Sequence, residues 1–176
     1  MPKPRVVRHE VTQPLNESYR LIPLTQNQNA IVDVEDFEWL SQWYWMAMFS
    51  PEADTFYVIR RSNGKTFRMH REIIKCSSRK EVDHKNGNGL DNRKQNLRPC
   101  THAQNICNTK SSKRKYKGVN WNKQSERWRS MIMRNGHSFF LGCFDSPEEA
   151  AHAYDEAAKK YHGEFAVLNF PVKSKS

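Results

Sequence analysis

One short segment of the chain collects a carboxylate, an imidazole and two amides. Asp83 and His84 are adjacent, Asn96 follows twelve residues after the histidine, and Asn105 lies nine residues further on. A histidine of near-neutral pKa can take a proton from water, and a carboxylate with an amide oxygen can hold a hard cation such as Mg²⁺. A second amide can fix the orientation of the imidazole. Together these side chains suit metal-assisted hydrolysis of a phosphodiester bond.

The local sequence predicts a β-loop-β-α unit that positions these four side chains. A short strand ends at His84, and a glycine-containing loop leads to a second strand that starts at Asn96. Thr101 and Gln104 form the pattern of a capping box, which starts a helix and puts Asn105 in its first turn. The polar side chains are therefore expected at the ends of neighbouring elements.

This segment resembles the ββα-metal motif of the HNH (His-Asn-His) nucleases, in the form found in phage and intron homing endonucleases. Met69–Ile73 also resembles the stretch that precedes the motif in that subfamily. The resemblance implies that His84 is the general base, that Asp83 and Asn105 are ligands of one Mg²⁺ or Mn²⁺ ion, and that Asn96 orients the histidine. Asn105 stands where the family name has a second histidine, which is a common variant.

The same resemblance implies an enzyme that hydrolyses DNA at specific sites and leaves 5′-phosphate and 3′-hydroxyl ends. A single HNH site attacks one strand at a time, so a monomer is expected to nick, whereas a homodimer would break both strands. The sequence leaves the oligomeric state open. Its four cysteines lack the paired spacing of zinc-stabilised HNH proteins, so we expect no structural zinc.

Positive charge is concentrated around the motif. The chain has 176 residues, 29 Lys and Arg against 19 Asp and Glu, and a net charge of +10. Residues 55–135 carry 21 basic and five acidic side chains, whereas residues 21–54 carry six acidic side chains and no Lys or Arg. This distribution indicates a polyanionic partner, and we expect double-stranded DNA. A basic surface that serves solubility is the alternative.

The composition excludes several classes of protein. Aromatic residues make up 11% of the chain, which is untypical of disordered proteins. No apolar run reaches the roughly 18 residues that a membrane span requires, and no apolar stretch typical of a secretory signal follows the first residues. We therefore expect a protein that is intracellular, not secreted, and located in the cytoplasm or nucleoid of a bacterial or phage-infected host.

The last third of the chain predicts three strands followed by a helix. Alternating residues define strands over Tyr116–Trp121, Glu126–Arg134 and Ser138–Phe144. Ser146–Glu149 combines an N-cap serine, a proline at the first helical position and a capping-box glutamate, so a helix starts there.

Alternation along the middle strand predicts one face on the helix and one basic open face. Trp128, Ser130 and Ile132 would face the helix, whereas Arg127 and Arg129 would face outward. A three-stranded sheet with a basic open face fits the major groove of DNA. For each arginine singly, an exposed strand charge without a DNA contact is the alternative.

Residues 116–171 closely resemble the Apetala/ethylene-response-factor DNA-binding domain. The resemblance rests on Tyr116–Val119, Leu141–Asp145, Glu148–Ala151 and Leu168–Phe170. It implies DNA contacts by residues of the open sheet face and of the turn at its first strand, namely Lys117, Asn120, Trp121, Arg127, Arg129 and Phe140. The face has fewer arginines than the plant domains, so their target sequence does not transfer.

Basic residues outside that domain are further candidates for DNA contact. Arg93 and Arg98 flank the nuclease motif, and Arg71 precedes it, so phosphate contacts are expected there. Lys113 and Arg114 belong to a polar, basic segment that reads as a linker. Each of these charges is alternatively a solvated surface group.

The sequence therefore predicts an α+β protein, with a ββα-metal (HNH) nuclease core of small antiparallel sheets and a three-stranded antiparallel sheet packed on one helix. The predicted bounds are a flexible basic arm at 1–18, the nuclease domain at 19–108, a basic linker at 109–115, the Apetala-type domain at 116–171 and a tail at 172–176. The predicted function is metal-dependent, site-specific DNA cleavage. The alternative is a non-catalytic DNA-binding protein with a vestigial motif, and an RNA-directed nuclease is a weaker third possibility.

Overall fold

A computed structural model describes residues 8–15, 18–108, 115–134 and 136–171. The chain divides into two compact units, Met1–Cys100 and Thr101–Ser176. The predicted linker, including Lys113 and Arg114, lies outside the described residues apart from Lys115, and so does the predicted tail. Within the described ranges, no helix is long and apolar enough to cross a membrane.

The first unit contains three small antiparallel sheets and two short helices. Its strands are β1 (Tyr19–Pro23) paired with β2 (Asn29–Asp33), then β3 (Met46–Ser50), β4 (Thr55–Ser62) and β5 (Lys65–Arg68) in that order, and β6 (Glu81–His84) paired with β7 (Leu97–Cys100). Its helices are α1 (Val34–Ser41), which follows β2, and α2 (Met69–Ile74), which follows β5. The predicted mixture of small antiparallel sheets and helices is confirmed.

The core of this unit lies between the first two sheets and the helices. Trp45, Leu40, Ile22, Val58 and Met69 are almost completely buried there. The indole Nε1 of Trp45 donates a hydrogen bond of 2.8 Å to the backbone oxygen of Leu40, so the largest core side chain leaves no polar atom unpaired. Residues 19–62 thus supply most of this core.

The loop between β6 and β7 is joined to β2 by backbone hydrogen bonds. The amide of Ile31 donates to Leu90 O at 2.9 Å, and the amide of Asn92 donates to Ile31 O at 2.7 Å. Ile31 also forms an isolated parallel bridge with Asp91. The strand therefore fixes the middle of the loop that carries the candidate site.

The same loop is also held against β4. The amide of Gly89 donates to Thr55 Oγ1 at 3.2 Å. A Cβ at Gly89 would lie 2.4 Å from Phe56 O and 2.8 Å from Cδ1 of Tyr57. Only a residue without a side chain permits this approach. Residues 19–62 thus hold the loop between β6 and β7, which we call the motif loop, in position.

The described part of the predicted arm makes specific contacts with the first unit. Arg8 donates to Trp45 O at 2.7 Å, and the Gln13 amide exchanges two 2.9 Å hydrogen bonds with the backbone of Leu21. The prediction of a flexible arm did not anticipate these contacts, because isolated polar side chains produce no periodic pattern.

Asp33 occupies the N-cap position of α1 but does not cap the helix with its side chain. Its side chain makes no capping hydrogen bond, and Oδ2 instead accepts a 2.7 Å bond from the Lys94 amide. The Lys94 ammonium is 2.5 Å from Glu35 and 3.1 Å from Asp36. This partner lies sixty-one residues away in the sequence, so local capping rules could not reveal it.

The second unit contains a short helix, a three-stranded sheet and a long helix. In chain order these are α3 (His102–Asn108), β8 (Val119–Asn122), β9 (Arg127–Arg134), β10 (His137–Phe144) and α4 (Pro147–His162), with β9 in the centre of the sheet. The predicted capping box is confirmed, since the Thr101 amide donates to Gln104 Oε1 at 2.8 Å and the Gln104 amide to Thr101 Oγ1 at 3.3 Å. Ser146 caps α4 by accepting from the amide of Glu149.

The helix α4 packs on one face of this sheet, as the alternation predicted. Ser130 and Ile132 of β9 are buried, and Ile132 packs with Tyr154 and Ala158 of the helix. A Cβ at Gly118 would lie 2.0 Å from Cδ2 of Tyr154, so the chain before β8 passes directly over that ring. The three-stranded sheet packed on one helix is therefore confirmed.

Candidate functional site

His84 lies at the end of β6 in a cluster of three aromatic rings. Its side chain is buried, and its ring meets the His70 ring edge-on, with centroids 5.0 Å apart and an interplanar angle of 88°. The Tyr57 ring lies 5.8 Å from His84 and 6.0 Å from His70. Strands β4 and β6 and helix α2 thus each contribute one ring. Sequence reasoning singled out His84 and missed the role of Tyr57.

Burial keeps the His84 imidazole in its neutral form. Burial lowers the pKa of His84, and the hydrogen bond to Asn92 and the charges of Asp83 and Asp91 oppose this shift only in part. The Asn92 Oδ1 atom lies 3.5 Å from Nε2. A neutral imidazole is the form that can accept a proton, so this environment keeps His84 available as a general base.

The neighbouring His70 is also kept neutral. Burial lowers its pKa to about 3, and the charges of His84, Arg68 and Arg71 act in the same direction. Its Nδ1 atom has no hydrogen-bond partner within the described part of the chain. The His70 ring therefore carries no charge where it contacts the His84 ring.

Asn96 holds the motif loop together. Its Nδ2 donates to Asn86 Oδ1 at 3.0 Å and to Asp91 O at 2.8 Å, and its Oδ1 accepts from the amide of Asn86 at 3.1 Å. Asn86 also donates to Asp91 Oδ2 at 3.0 Å. These contacts place Asn96 across the loop that follows His84, and the assignment that Asn96 orients the imidazole stays a prediction.

Asn92 is a site residue that sequence reasoning missed. It is completely buried, its Nδ2 donates to the backbone oxygens of Gly89 and Leu90, and its Oδ1 is the amide oxygen near His84. Its position in a polar, Asn-rich loop concealed it, because the sequence offers no periodicity there.

Arginines predicted to contact phosphates are paired inside the protein. Arg98 Nε and a terminal nitrogen lie 2.9 and 2.8 Å from Oδ2 of Asp83, and both residues are buried opposite each other on β6 and β7. Arg93 forms two hydrogen bonds of 2.8 and 2.7 Å with the carboxylate of Asp91. Arg71 donates to a backbone oxygen 3.0 Å away. Their predicted DNA contacts stay untested predictions.

The two residues predicted to hold a metal ion differ in position. Asp83 is buried on β6 in the first unit, whereas Asn105 is half-buried in the first turn of α3, in the second unit. Their carboxylate and amide oxygens are hard donors of the kind that Mg²⁺ and Mn²⁺ prefer. Each oxygen is therefore chemically suited to the predicted cation, and a site shared by the two residues stays a prediction.

The register of the second unit defines the composition of the open sheet face. Residues directly opposite in antiparallel strands share a face, and Asn120 pairs with Arg129 while Phe140 pairs with Met131. Phe140 is 62% exposed. We call this surface, which also includes Arg127, the open face.

Trp121 lies on the opposite side from the open face. It pairs with Trp128, whose ring is 5.2 Å away, and so it shares the face that packs on α4. Lys117 is also drawn inward, since its ammonium donates to Cys107 O and burial lowers the pKa of Lys117 to about 8. Arg127 is exposed and pairs with Asp145 at 2.9 Å.

The amino-acid sequence matches two protein-family models. Residues 75–106 match the family described as HNH endonuclease, and residues 114–164 match the family described as AP2 domain. Each match covers less than half of the chain. The predicted resemblance of the second unit to the AP2 domain is confirmed. The motif residues Asp83, His84, Asn96 and Asn105 all fall in the first match.

Relatives named as plant transcription factors match about a third of the chain. The chain is 46% identical over 54 residues to the ethylene-responsive transcription factor WRI1 of Arabidopsis thaliana, which covers 31% of this chain and 12% of that protein. It is 41% identical over 61 residues to APETALA2-like protein 2 of Oryza sativa subsp. japonica, and this match covers 35% of this chain and 14% of that protein. The chain thus spans less than a fifth of the length of these relatives.

Proposed function

We propose that this protein is a DNA endonuclease, in which the HNH motif hydrolyses a phosphodiester bond and the second unit binds double-stranded DNA. The observation that carries the proposal is the environment of His84. A neutral, buried imidazole stands at the end of β6, beside a polar loop fastened by Asn96, within the region similar to HNH endonucleases. That combination is suited to activating a water molecule.

The proposed role of His84 is to accept the proton of the attacking water. Because burial lowers the pKa of His84, the imidazole is ready to accept a proton at neutral pH. The Tyr57 and His70 rings restrict its rotation, and Asn92 contacts Nε2. Each contact reduces the freedom that the base would lose on reaching the transition state.

We propose the carboxylate of Asp83 as a ligand of the cation, and Asn105 as a second ligand stays a prediction from the sequence. When bound, Mg²⁺ or Mn²⁺ neutralises charge at the phosphate. Arg98 contributes by holding the Asp83 carboxylate in one position through Oδ2. The buried ion pair restricts the carboxylate to one rotamer, which reduces the ordering cost of forming the site.

The proposed partner of the second unit is duplex DNA. The relatives that share this unit are named as transcription factors, and the open face carries Arg127 and Arg129 beside Asn120. A sheet of this kind can reach bases and phosphates in a groove. Site-specific cleavage, as in homing endonucleases, follows if this face selects the sequence that the first unit cuts.

The test is cleavage of supercoiled plasmid with Mg²⁺ or Mn²⁺. We expect nicked product that EDTA prevents, and we expect His84→Ala to lower the rate by about 10²- to 10⁴-fold, the range for losing a general base. The matched control is His137→Ala, which removes an exposed histidine of β10. Gel shifts of both variants should equal those of the wild type. Undiminished cleavage by His84→Ala would contradict the proposal.

A second candidate function is DNA binding without catalysis. It is favoured by the internal pairing of Arg93 and Arg98, which leaves fewer cations for phosphates at the motif. A gel shift by the wild type without any cleavage in either metal would support this candidate.

A further inference from the structure

Cleavage of a phosphodiester requires positive charge near the base, yet several arginines of the first unit are already paired. Arg93 and Arg98 contact Asp91 and Asp83, and Arg60 contacts Glu72 at 2.9 Å. Arginine with a bidentate or buried carboxylate partner is poorly placed to contact phosphate as well.

Arg61 and Arg68 differ from these paired arginines. Both side chains are exposed, and neither has an ion pair or hydrogen bond within the described residues. Their guanidinium groups are therefore available to a partner outside the unit, and the planar guanidinium group matches a phosphate through two parallel hydrogen bonds.

The strand register places both arginines on the face that carries Tyr57. Alternate residues of a strand share a face, so Tyr57, Ile59 and Arg61 of β4 point to the same side. Ile59 is directly opposite Arg68 on β5, which puts Arg68 on that side too. Tyr57 is in ring contact with His84. One sheet face thus runs from the two arginines to the candidate base.

Electrostatics supports this proximity for Arg68. After burial and His84, the charge of Arg68 is the next cause that lowers the pKa of His70. The same charge opposes the rise that burial and Asp83 impose on the pKa of Tyr57. The guanidinium therefore acts on two of the three rings around the site.

The opposite face of this sheet is not available. Its residues include Val58, which is buried in the core, and Arg60, whose guanidinium carbon lies 4.3 Å from the Trp43 ring centroid and 4.0 Å from that of Phe67. Lys65 belongs to this face, since it pairs with Ser62. The hairpin therefore offers positive charge toward the site on one side only.

We propose that Arg61 and Arg68 form a phosphate-binding edge that directs a DNA strand to His84. The inference rests on the proposed nuclease function and adds the contacts that hold the substrate at the site. The occupant is the phosphate backbone of DNA, because two exposed guanidinium groups match its charge and the face continues to the candidate base. Since phosphate contacts carry no sequence information, the edge contributes affinity and orientation rather than target choice.

The test compares the full chain with Arg61→Gln, Arg68→Gln and the double variant. The logarithm of the DNA-binding constant falls with the logarithm of salt concentration by about 0.9 for each phosphate neutralised. Each single variant should reduce this slope by about 0.9 and the double variant by about 1.8. Lys65→Gln, which removes one charge from the other face of the same hairpin, should leave the slope unchanged. Far-UV circular dichroism verifies that each variant is folded.

The outcomes separate this inference from the proposed function. The double variant should also raise the KM for plasmid cleavage by at least tenfold, whereas Lys65→Gln should not. An unchanged salt slope in the double variant, or a reduction equal to that of Lys65→Gln, would overturn the edge even if the wild type cleaves DNA. A reduced slope in a protein that cleaves nothing would support the edge as a DNA contact and contradict the nuclease proposal instead.

Discussion

His70 shows how one buried side chain makes the stability of the first unit depend on pH. Burial, with His84 and Arg68, lowers its pKa from the ordinary 6.5 to about 3. Below pH 6.5 the unfolded chain binds a proton that the folded unit excludes, so the free energy of unfolding falls as the pH is lowered. At about 1.4 kcal/mol for each pH unit, the loss between pH 6.5 and pH 5 is about 2 kcal/mol.

The measurement is urea unfolding followed by tryptophan fluorescence at pH 7 and pH 5. The variant His70→Phe keeps a ring in contact with Tyr57 and His84. We expect its free energy of unfolding to change by about 2 kcal/mol less between pH 7 and pH 5 than that of the wild type. The exposed His137→Phe should retain all of it. If His70→Phe and the wild type lose equal stability between the two pH values, His70 does not carry this effect.

At the scale of elements, the close contact of the motif loop with β4 fixes the position of the residues around His84. A Cβ at Gly89 would lie 2.4 Å from Phe56 O, a backbone atom that cannot rotate away. Gly89→Ala should therefore shift the loop, and a displacement near 1 Å of catalytic groups costs about 10²-fold in rate. Gly64→Ala is the matched control, because its Cβ would meet nothing within 4 Å.

The assay for Gly89→Ala compares cleavage rate with DNA affinity. We expect the cleavage rate to fall about a hundredfold while DNA affinity changes little, since the proposed DNA contacts of the second unit remain. In Gly64→Ala the alanine must adopt the positive φ of 71° that Gly64 has. This lowers the free energy of unfolding by about 1 kcal/mol but leaves the motif loop in place. A wild-type rate in Gly89→Ala would show that the loop tolerates the shift.

Local patterns predicted the elements well, and contacts distant in sequence explain what they missed. Alternation predicted β9 and its face on α4, and the Thr101 capping box predicted the start of α3, because both signals lie within a few residues. The contact of Asp33 with Lys94, the place of Asn92 beside His84 and the buried ion pair of Arg98 with Asp83 were not predicted. Each of these depends on a partner brought close by the fold, which spacing along the chain does not encode.

At the scale of the whole molecule, each unit has a core of its own. Trp45 anchors the first core, whereas Ile132 and Tyr154 anchor a cluster of the second. We therefore expect that damage to the open face weakens DNA binding without altering the residues around His84. This separation makes the proposed roles of the two units independently measurable.

The double variant Arg127→Ala with Arg129→Ala tests that division. Both side chains belong to the open face, so their removal should lower DNA affinity and reduce the salt slope by about 1.8 if each contacts a phosphate. The rate at saturating DNA should fall far less than the affinity, because His84 and its surroundings lie in the other unit. Lys159→Ala with Lys160→Ala removes the same charge from the exposed side of α4 and should change neither quantity. If the salt dependence of the binding constant falls equally in both double variants, the net charge of the protein and not the open face determines DNA affinity. A rate at saturation that falls in proportion to affinity would mean that the two units do not work separately.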